Sequence, residues 1–153
     1  MRALELKIPP LAVVLIVAVG MWQLSKVMPA LDFVVPYAAV VAAVTAASGL
    51  LIAALGVREF RGVSTTVNPM KPDEASSIVS TGVYRLTRNP MYLGLACCVL
   101  AWGIYLQNLA ALLCLVIFVA YMTRFQIKPE ERALQKNFGH EYTRYVARVR
   151  RWI

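Results

Sequence analysis

Gly82-Val83-Tyr84-Arg85-Leu86-Thr87-Arg88-Asn89-Pro90-Met91-Tyr92-Leu93-Gly94 is the point where a polar segment of mixed charge runs straight into an apolar one. The junction has the makings of a helix start. Asn89 can cap, and Pro90 suits the first turn, where its missing N–H leaves no bond unmade. Tyr92 and Gly94 then fall within the first turns. Free N–H groups and the positive end of the helix dipole, with Arg85 and Arg88 beside them, would favour an anionic group. A purely structural role is also open, since a cap and a proline begin many helices that bind nothing.

Outward from this junction the chain is unusually apolar. Of its 153 residues 59% are hydrophobic and the mean hydropathy is +0.62, where a soluble domain is about half apolar. Four apolar runs account for the excess, and the expected spans are about 9–27, 33–55, 90–106 and 109–125. The first, behind Pro9-Pro10, resembles a signal peptide in its basic start, but no small-residue cleavage site precedes Gln23, Ser25 and Lys26, so it is read as an uncleaved span. Asp32 is a candidate cap for the second, whose small residues recur as Ala38, Ala42, Ala46 and, beside them, Ala39, Ala43, Ala47. Such faces let helices approach closely in lipid. Gln107-Asn108 splits the last two runs into a tight hairpin. No charge interrupts either helix before Arg124, which leaves an ion pathway without carriers.

The polar segments are a loop over 56–89 and a tail over 126–153. Asn68-Pro69 and Lys71-Pro72 break the loop, Thr65 and Thr66 add hydroxyls, and its length is that of a functional loop rather than a connector. In the tail, Pro129 with Glu130 and Glu131 reads as a helix start, and Gly139 as a break. Beyond it Tyr142, Tyr145, Val149 and Trp152 recur at helical spacing beside Arg144, Arg148 and Arg151, the pattern of a helix lying on a membrane surface. The net charge is +8, from 16 Lys and Arg against 8 Asp and Glu. Because the basic residues flank apolar runs, membrane topology and anionic lipid explain them better than nucleic acid. Four spans put both termini and the long loop on one side, with every basic residue but Lys26 on or next to it, so that side is expected to be cytoplasmic.

The fold class that follows is all-α, an integral membrane bundle of four transmembrane helices with a cytoplasmic amphipathic C-terminal helical segment. It forms one membrane domain over 1–153. Cys97, Cys98 and Cys114 lie within apolar runs and His140 is the single histidine, so neither a disulfide framework nor a metal site is expected. No nucleophile–base set, phosphate loop or dinucleotide fingerprint is present. The cytoplasmic side offers instead a helix start with two arginines, a Glu-Glu pair and several tyrosines. Those groups suit a zwitterionic, cationic cofactor: a carboxylate on an arginine, an ammonium on a glutamate, a sulfonium or adenine against aromatic faces.

Two groups of residues carry a family resemblance. They are Gly82-x-Tyr84-x-x-x-Arg88-Asn89-Pro90-x-Tyr92-x-Gly94 and Glu130-Glu131-x-x-Leu134-x-x-x-Phe138-Gly139-x-x-Tyr142-x-x-Tyr145. From about Thr65 to Ile153 the chain resembles the isoprenylcysteine carboxyl methyltransferase and phospholipid methyltransferase family, integral membrane enzymes that use S-adenosylmethionine. The resemblance implies that Arg88, Asn89, Pro90 and Tyr92 hold the cofactor and that Tyr84 and Gly94 shape its pocket. It implies that Glu130 and Glu131 meet the cofactor amine or the substrate head, with Tyr142 and Tyr145 on the cofactor as well. Arg148 and Arg151 become candidates for an anionic substrate group, so the candidate catalytic set is Glu130, Glu131, Arg148 and Arg151. Asn89 stands where eukaryotic carboxyl methyltransferases carry His, and Arg150 replaces a proline in the Arg-Val-Pro-Arg-Trp close of relatives.

Plainer roles exist for the same residues. Glu130 and Glu131 can complement a helix dipole, Tyr142 and Tyr145 can anchor at the interface, and Arg144, Arg148 and Arg151 can touch lipid phosphate. The expected function is methyl transfer from S-adenosylmethionine to a lipophilic or small acceptor (carboxylate, thiol or amine) at the cytoplasmic face of a prokaryotic inner membrane. The competing expectations are an NADPH-dependent membrane reductase of the steroid-reductase type and a small membrane protein without enzymatic activity. The bilayer and the methyl acceptor are the expected partners.

Overall fold

Among the described residues five α-helices make up most of the chain: α1 (Pro10–Val27), α2 (Ala38–Gly62), α3 (Pro90–Leu106), α4 (Leu109–Met122) and α5 (Lys128–Arg148). The structure is a computed structural model and describes residues 5–62 and 76–153; Thr65, Thr66, Asn68-Pro69 and Lys71-Pro72 lie outside the described residues. Single 3-10 turns occupy Pro29–Leu31 and Gly82–Arg85, and no β-strand is found among the described residues. Helices α1 and α2 are long and apolar enough to cross a membrane, as is the continuous helical stretch Leu109–Arg148, and α3 is a shorter apolar helix of 17 residues. Their outward faces carry Leu11, Leu15, Ile16 and Val19 on α1, Val40, Val44, Leu50 and Leu51 on α2, and Leu113, Val116 and Ile117 on α4, all exposed. That much open apolar surface suits lipid as the surrounding solvent, with backbone polar groups satisfied inside the helices.

Glycines set the closest helix pair. A Cβ on Gly94 would lie 2.4 Å from the Gly49 carbonyl oxygen and 2.8 Å from Ala53 Cβ, and one on Gly49 would lie 2.6 Å from the Gly94 oxygen. Helices α2 and α3 therefore touch backbone to backbone, as small residues allow in lipid. The buried positions of α2 are Ala38, Ala42, Gly49 and Gly56, while Ala39, Ala43 and Ala47 face outward. The expected small-residue face exists, but two glycines take its centre. Gly94→Ala is expected to destabilise the bundle by about 1–3 kcal/mol through overpacking, seen as a lower melting temperature in detergent. An unchanged melting curve would mean that the seam yields to an added methyl group. Behind α3, the main core packs Val13 and Met21 of α1 with Ala96 and Val99 of α3 and Ala111, Phe118 and Met122 of α4.

At the far end Asn108 is fully buried and ties three segments. Its Oδ1 accepts from Ala111 N–H (3.1 Å) to cap α4, and its Nδ2 donates to Met28 O (2.9 Å) and Asp32 Oδ1 (2.7 Å). Asp32 is thus not the cap of α2, which starts at Ala38 rather than at residue 33. Val35 precedes Pro36 and is pushed out of the helical region. Phe33 N–H and Val35 N–H instead donate to the Gln107 carbonyl and side chain, each at 2.9 Å. At its other end α2 runs past Leu55 to Gly62, so the first residues expected in the polar loop are helical.

The hairpin turns at Gln107 and Asn108 as expected, but Pro129 does not open a separate helix. A π-helical turn over Thr123–Ile127 carries α4 directly into α5. Pro129 cannot donate to the carbonyl of Phe125, its α-helical partner, and Leu6 N–H donates there instead (3.0 Å). Gln126 Nε2 donates to Ile8 O (2.6 Å), and Glu5 pairs with both Arg124 and Arg132. The Arg124 hydrogen bond holds the Glu5 carboxyl below the usual carboxylate range. Glu130 and Glu131 consequently sit inside a continuous helical path, without the free N–H groups that a dipole role requires. Gly139 is a true kink, with φ 48 and ψ −117.

Candidate functional site

The end of α2, the stretch from Ser77 to Asn89, the start of α3 and helix α5 meet at one end of the bundle. The cleft they leave measures about 640 Å³ with its open mouth included. Its polar lining is Ser77, Tyr84, Arg88, Asn89, Tyr92, Glu130, Glu131, Tyr142 and Tyr145, and its apolar wall is Phe60, Ile78, Val79, Met91 and Leu134.

Two carboxylates one residue apart have opposite surroundings. Tyr92 OH, one turn into α3, donates to Glu130 Oε1. Burial pushes the Glu130 carboxyl up to about 8, against the lowering effect of the Tyr92 bond and with a smaller push from Glu131. Glu131 is shared by two guanidiniums. Arg151 meets it through two parallel bonds, Nε–Oε1 at 2.9 Å and Nη2–Oε2 at 2.8 Å, while Arg88 Nη2 lies 3.1 Å from Oε1. The Glu131 bond pushes the Arg151 guanidinium up in turn. This is the fork geometry in which arginine binds carboxylate best.

The aromatic groups frame the opening. Tyr145 OH donates to Tyr84 O (2.8 Å), and the Tyr84 ring meets Phe60 edge-on at 5.4 Å between centroids. Burial pushes the phenols of Tyr84 and Tyr145 up, and that of Tyr142 up to about 12, so all three stay neutral donors. Two polar atoms of the cleft, Ser77 Oγ and Arg88 Nε, are buried with no hydrogen-bond partner among the described residues. Buried donors left without a partner are uncommon in folded proteins and call for an explanation such as a water or a bound group.

Asn89 occupies the position before α3 but its side chain does not cap that helix; Nδ2 donates to Arg151 O (2.9 Å). Pro90 and Gly94 are buried in the α2–α3 seam, Pro90 against Gly56, and neither lines the cleft. Arg148 is exposed and turned away, its Nε on Arg144 O (3.3 Å), in a shallow groove with Ser80, Thr81 and Arg85. Arg151 reaches the cleft only through Glu131, and also borders a groove with Lys128 and Arg132. Sequence reasoning missed Phe60 and Ser77. The only signal for Phe60 was an aromatic residue at the polar end of the second span, and Ser77 had none.

The family model described as phospholipid methyltransferase matches residues 37–141. That range holds Tyr84, Arg88, Tyr92, Glu130 and Glu131, and stops just before Tyr142, Tyr145 and Arg151. An uncharacterized protein of Haemophilus influenzae is 46% identical over 63 residues, which cover 41% of this chain and 100% of that protein. No solved structure matches the chain.

Proposed function

The chain belongs to the phospholipid methyltransferase family, and from that premise we propose that it methylates a lipophilic or small acceptor from S-adenosylmethionine at the cytoplasmic membrane face. The observation that carries this is the meeting, in one cleft, of a half-buried carboxyl, an arginine with an unmet donor and three neutral tyrosines. These are the complements of an ammonium, a carboxylate and an aromatic or sulfonium group.

Glu130 takes the cofactor ammonium, with Tyr92 fixing the rotamer of its carboxyl. Arg88, through its unpaired Nε and with Ser77 Oγ nearby in the lining, takes the carboxylate. Tyr84, Tyr142 and Tyr145 supply faces and hydroxyls for the remainder. When bound, S-adenosylmethionine supplies an electrophilic methyl group, and the chain's part is to hold both partners in line and exclude water. The apolar wall of Phe60, Ile78, Val79, Met91 and Leu134 suits the hydrocarbon part of an acceptor arriving from the bilayer. Four spans, with both termini and the cleft on the cytoplasmic side of a prokaryotic inner membrane, agree with the concentration of Arg and Lys at this end. A nicotinamide dinucleotide fits less well, because its phosphates carry more negative charge than the single unit of positive charge that Arg88, Arg151 and Glu131 leave together.

Purified protein in detergent should bind S-adenosylmethionine by calorimetry and move labelled methyl into an acceptor from a membrane lipid extract or a thiol panel. No binding and no transfer would sink the proposal. The raised Glu130 value adds a pH signature. A carboxyl that titrates near 8 is protonated in the free protein at pH 7 and must ionise to pair with an ammonium. Affinity should therefore rise with pH toward about 8 and fall again where the ligand's own ammonium loses its proton, and binding at pH 7 should release close to one proton. For folding the sign is opposite. The folded state binds more protons than the unfolded one between the ordinary carboxylate range and about 8, so this group's contribution to stability falls as pH rises through that window. Calorimetry in buffers of different ionisation enthalpy reads the proton release directly, and a pH-independent affinity would contradict it.

A further inference from the structure

We propose that Asn89 is a positioning residue that fixes the Arg151 backbone, so that Arg151 holds Glu131 and leaves the Arg88 charge available to a carboxylate. The inference rests on the cofactor assignment above and adds a residue acting through another rather than by touching ligand.

The tail runs against the residues ahead of α3 through backbone and side-chain bonds. Arg88 N–H donates to Arg150 O (3.0 Å), while Asn89 Nδ2 (2.9 Å) and Thr87 Oγ1 (3.3 Å) both donate to Arg151 O. Thr87 Oγ1 also accepts from Asn89 N–H (3.2 Å), which sets the Asn89 side chain facing the tail. On the other side of Arg151, Trp152 Nε1 donates to Thr123 Oγ1 (3.1 Å). Arg151 is thereby held on both flanks, and its side chain leaves from a fixed backbone to make the two-bond fork on Glu131.

Charge makes that fork matter. Two guanidiniums and one carboxylate leave one unit of positive charge, located at the cleft where Arg88 Nε has no partner among the described residues. If Arg151 lets go, Glu131 pairs with Arg88 alone. The pair is then neutral, and the pull on an anionic group is lost. Asn89 is suited to the task because its amide donates at every pH in the physiological range. Aspartate would set a carboxylate against a carbonyl oxygen, whereas a histidine ring N–H still donates.

The test is calorimetric titration of the full chain in detergent with S-adenosylmethionine and with its decarboxylated analogue, which lacks the group Arg88 would bind. Asn89→Ala and Asn89→Asp are expected to weaken S-adenosylmethionine binding about five- to tenfold, the worth of one hydrogen bond, and to leave the analogue unchanged. Asn89→His should restore most of the affinity. In an Arg151→Gln background, Asn89→Ala should add nothing, since both act on one contact. Equal losses for both ligands, additive losses in the double variant, or wild-type binding by Asn89→Ala would each overturn the proposal. Should Asn89→Ala fail to fold, Arg151→Gln alone must show the same carboxylate-selective loss or the proposal falls. Wild-type protein that binds neither ligand overturns the cofactor assignment itself and this inference with it, whereas wild-type binding with indifferent variants overturns the positioning role only.

Discussion

Glu130→Gln is expected to weaken S-adenosylmethionine binding by about ten- to a hundredfold and to lower methyl transfer at least as much. Glutamine keeps the shape and can still accept from Tyr92 OH, so the substitution isolates the charge. A hydrogen bond to an ionised partner contributes about 1.5–3 kcal/mol, which sets the range. The pH dependence of binding should vanish in the same variant. Titration calorimetry and single-turnover transfer check both, and wild-type affinity in Glu130→Gln would remove Glu130 from the cofactor's amine. Tyr92→Phe should give a smaller loss, because it takes away orientation and leaves the carboxyl.

Glu131→Gln carries the other large effect, and it falls on stability before activity. The Arg88 side chain is 9% exposed and depends on Glu131, while that of Arg151 is 35% exposed and can turn to water. Breaking a fully buried pair typically costs about 3–5 kcal/mol. With one partner about a third in solvent, about 2–3 kcal/mol is expected here. The variant should melt lower in detergent. Double replacement with Arg88→Met, which leaves no buried unpaired charge, should recover much of the melting temperature but, with Arg88 gone, lose the binding of S-adenosylmethionine. No recovery of the melting temperature would mean that the cluster does not hold the fold in this way.

Much of this was legible in the sequence because lipid-facing helices announce themselves. Unbroken apolar runs and their polar edges gave α1 and α3 almost to the residue, and Gln107-Asn108 gave the turn. Gly139 was readable because few other residues accept its backbone angles. What stayed hidden depends on contacts between distant residues. The start of α2 follows from the Gln107 turn capturing Phe33 and Val35, more than seventy positions away by the second of these bonds. The continuity of α4 into α5 follows from Leu6 supplying the bond that Pro129 cannot. At the site, the Glu-Glu pair and several tyrosines were singled out from their types and their expected common membrane side, and Tyr92 from the family resemblance. The separate surroundings of Glu130 and Glu131 were not visible, nor was the turning away of Arg148. A run of basic residues at helical spacing says which face each occupies on its own helix, and nothing about which face meets a neighbour.

The π-helical turn has a geometric effect on everything beyond it. By taking one residue more than an α-helical turn, it sets the phase of α5 back by about 100°. Glu130 therefore occupies the angle that an uninterrupted helix would give to its predecessor, Pro129. Without that one-residue delay, Tyr92 would look out on a pyrrolidine ring, which has no group to accept its hydrogen. An apolar span and a polar arm are thus joined without a loop, each keyed to its own neighbours.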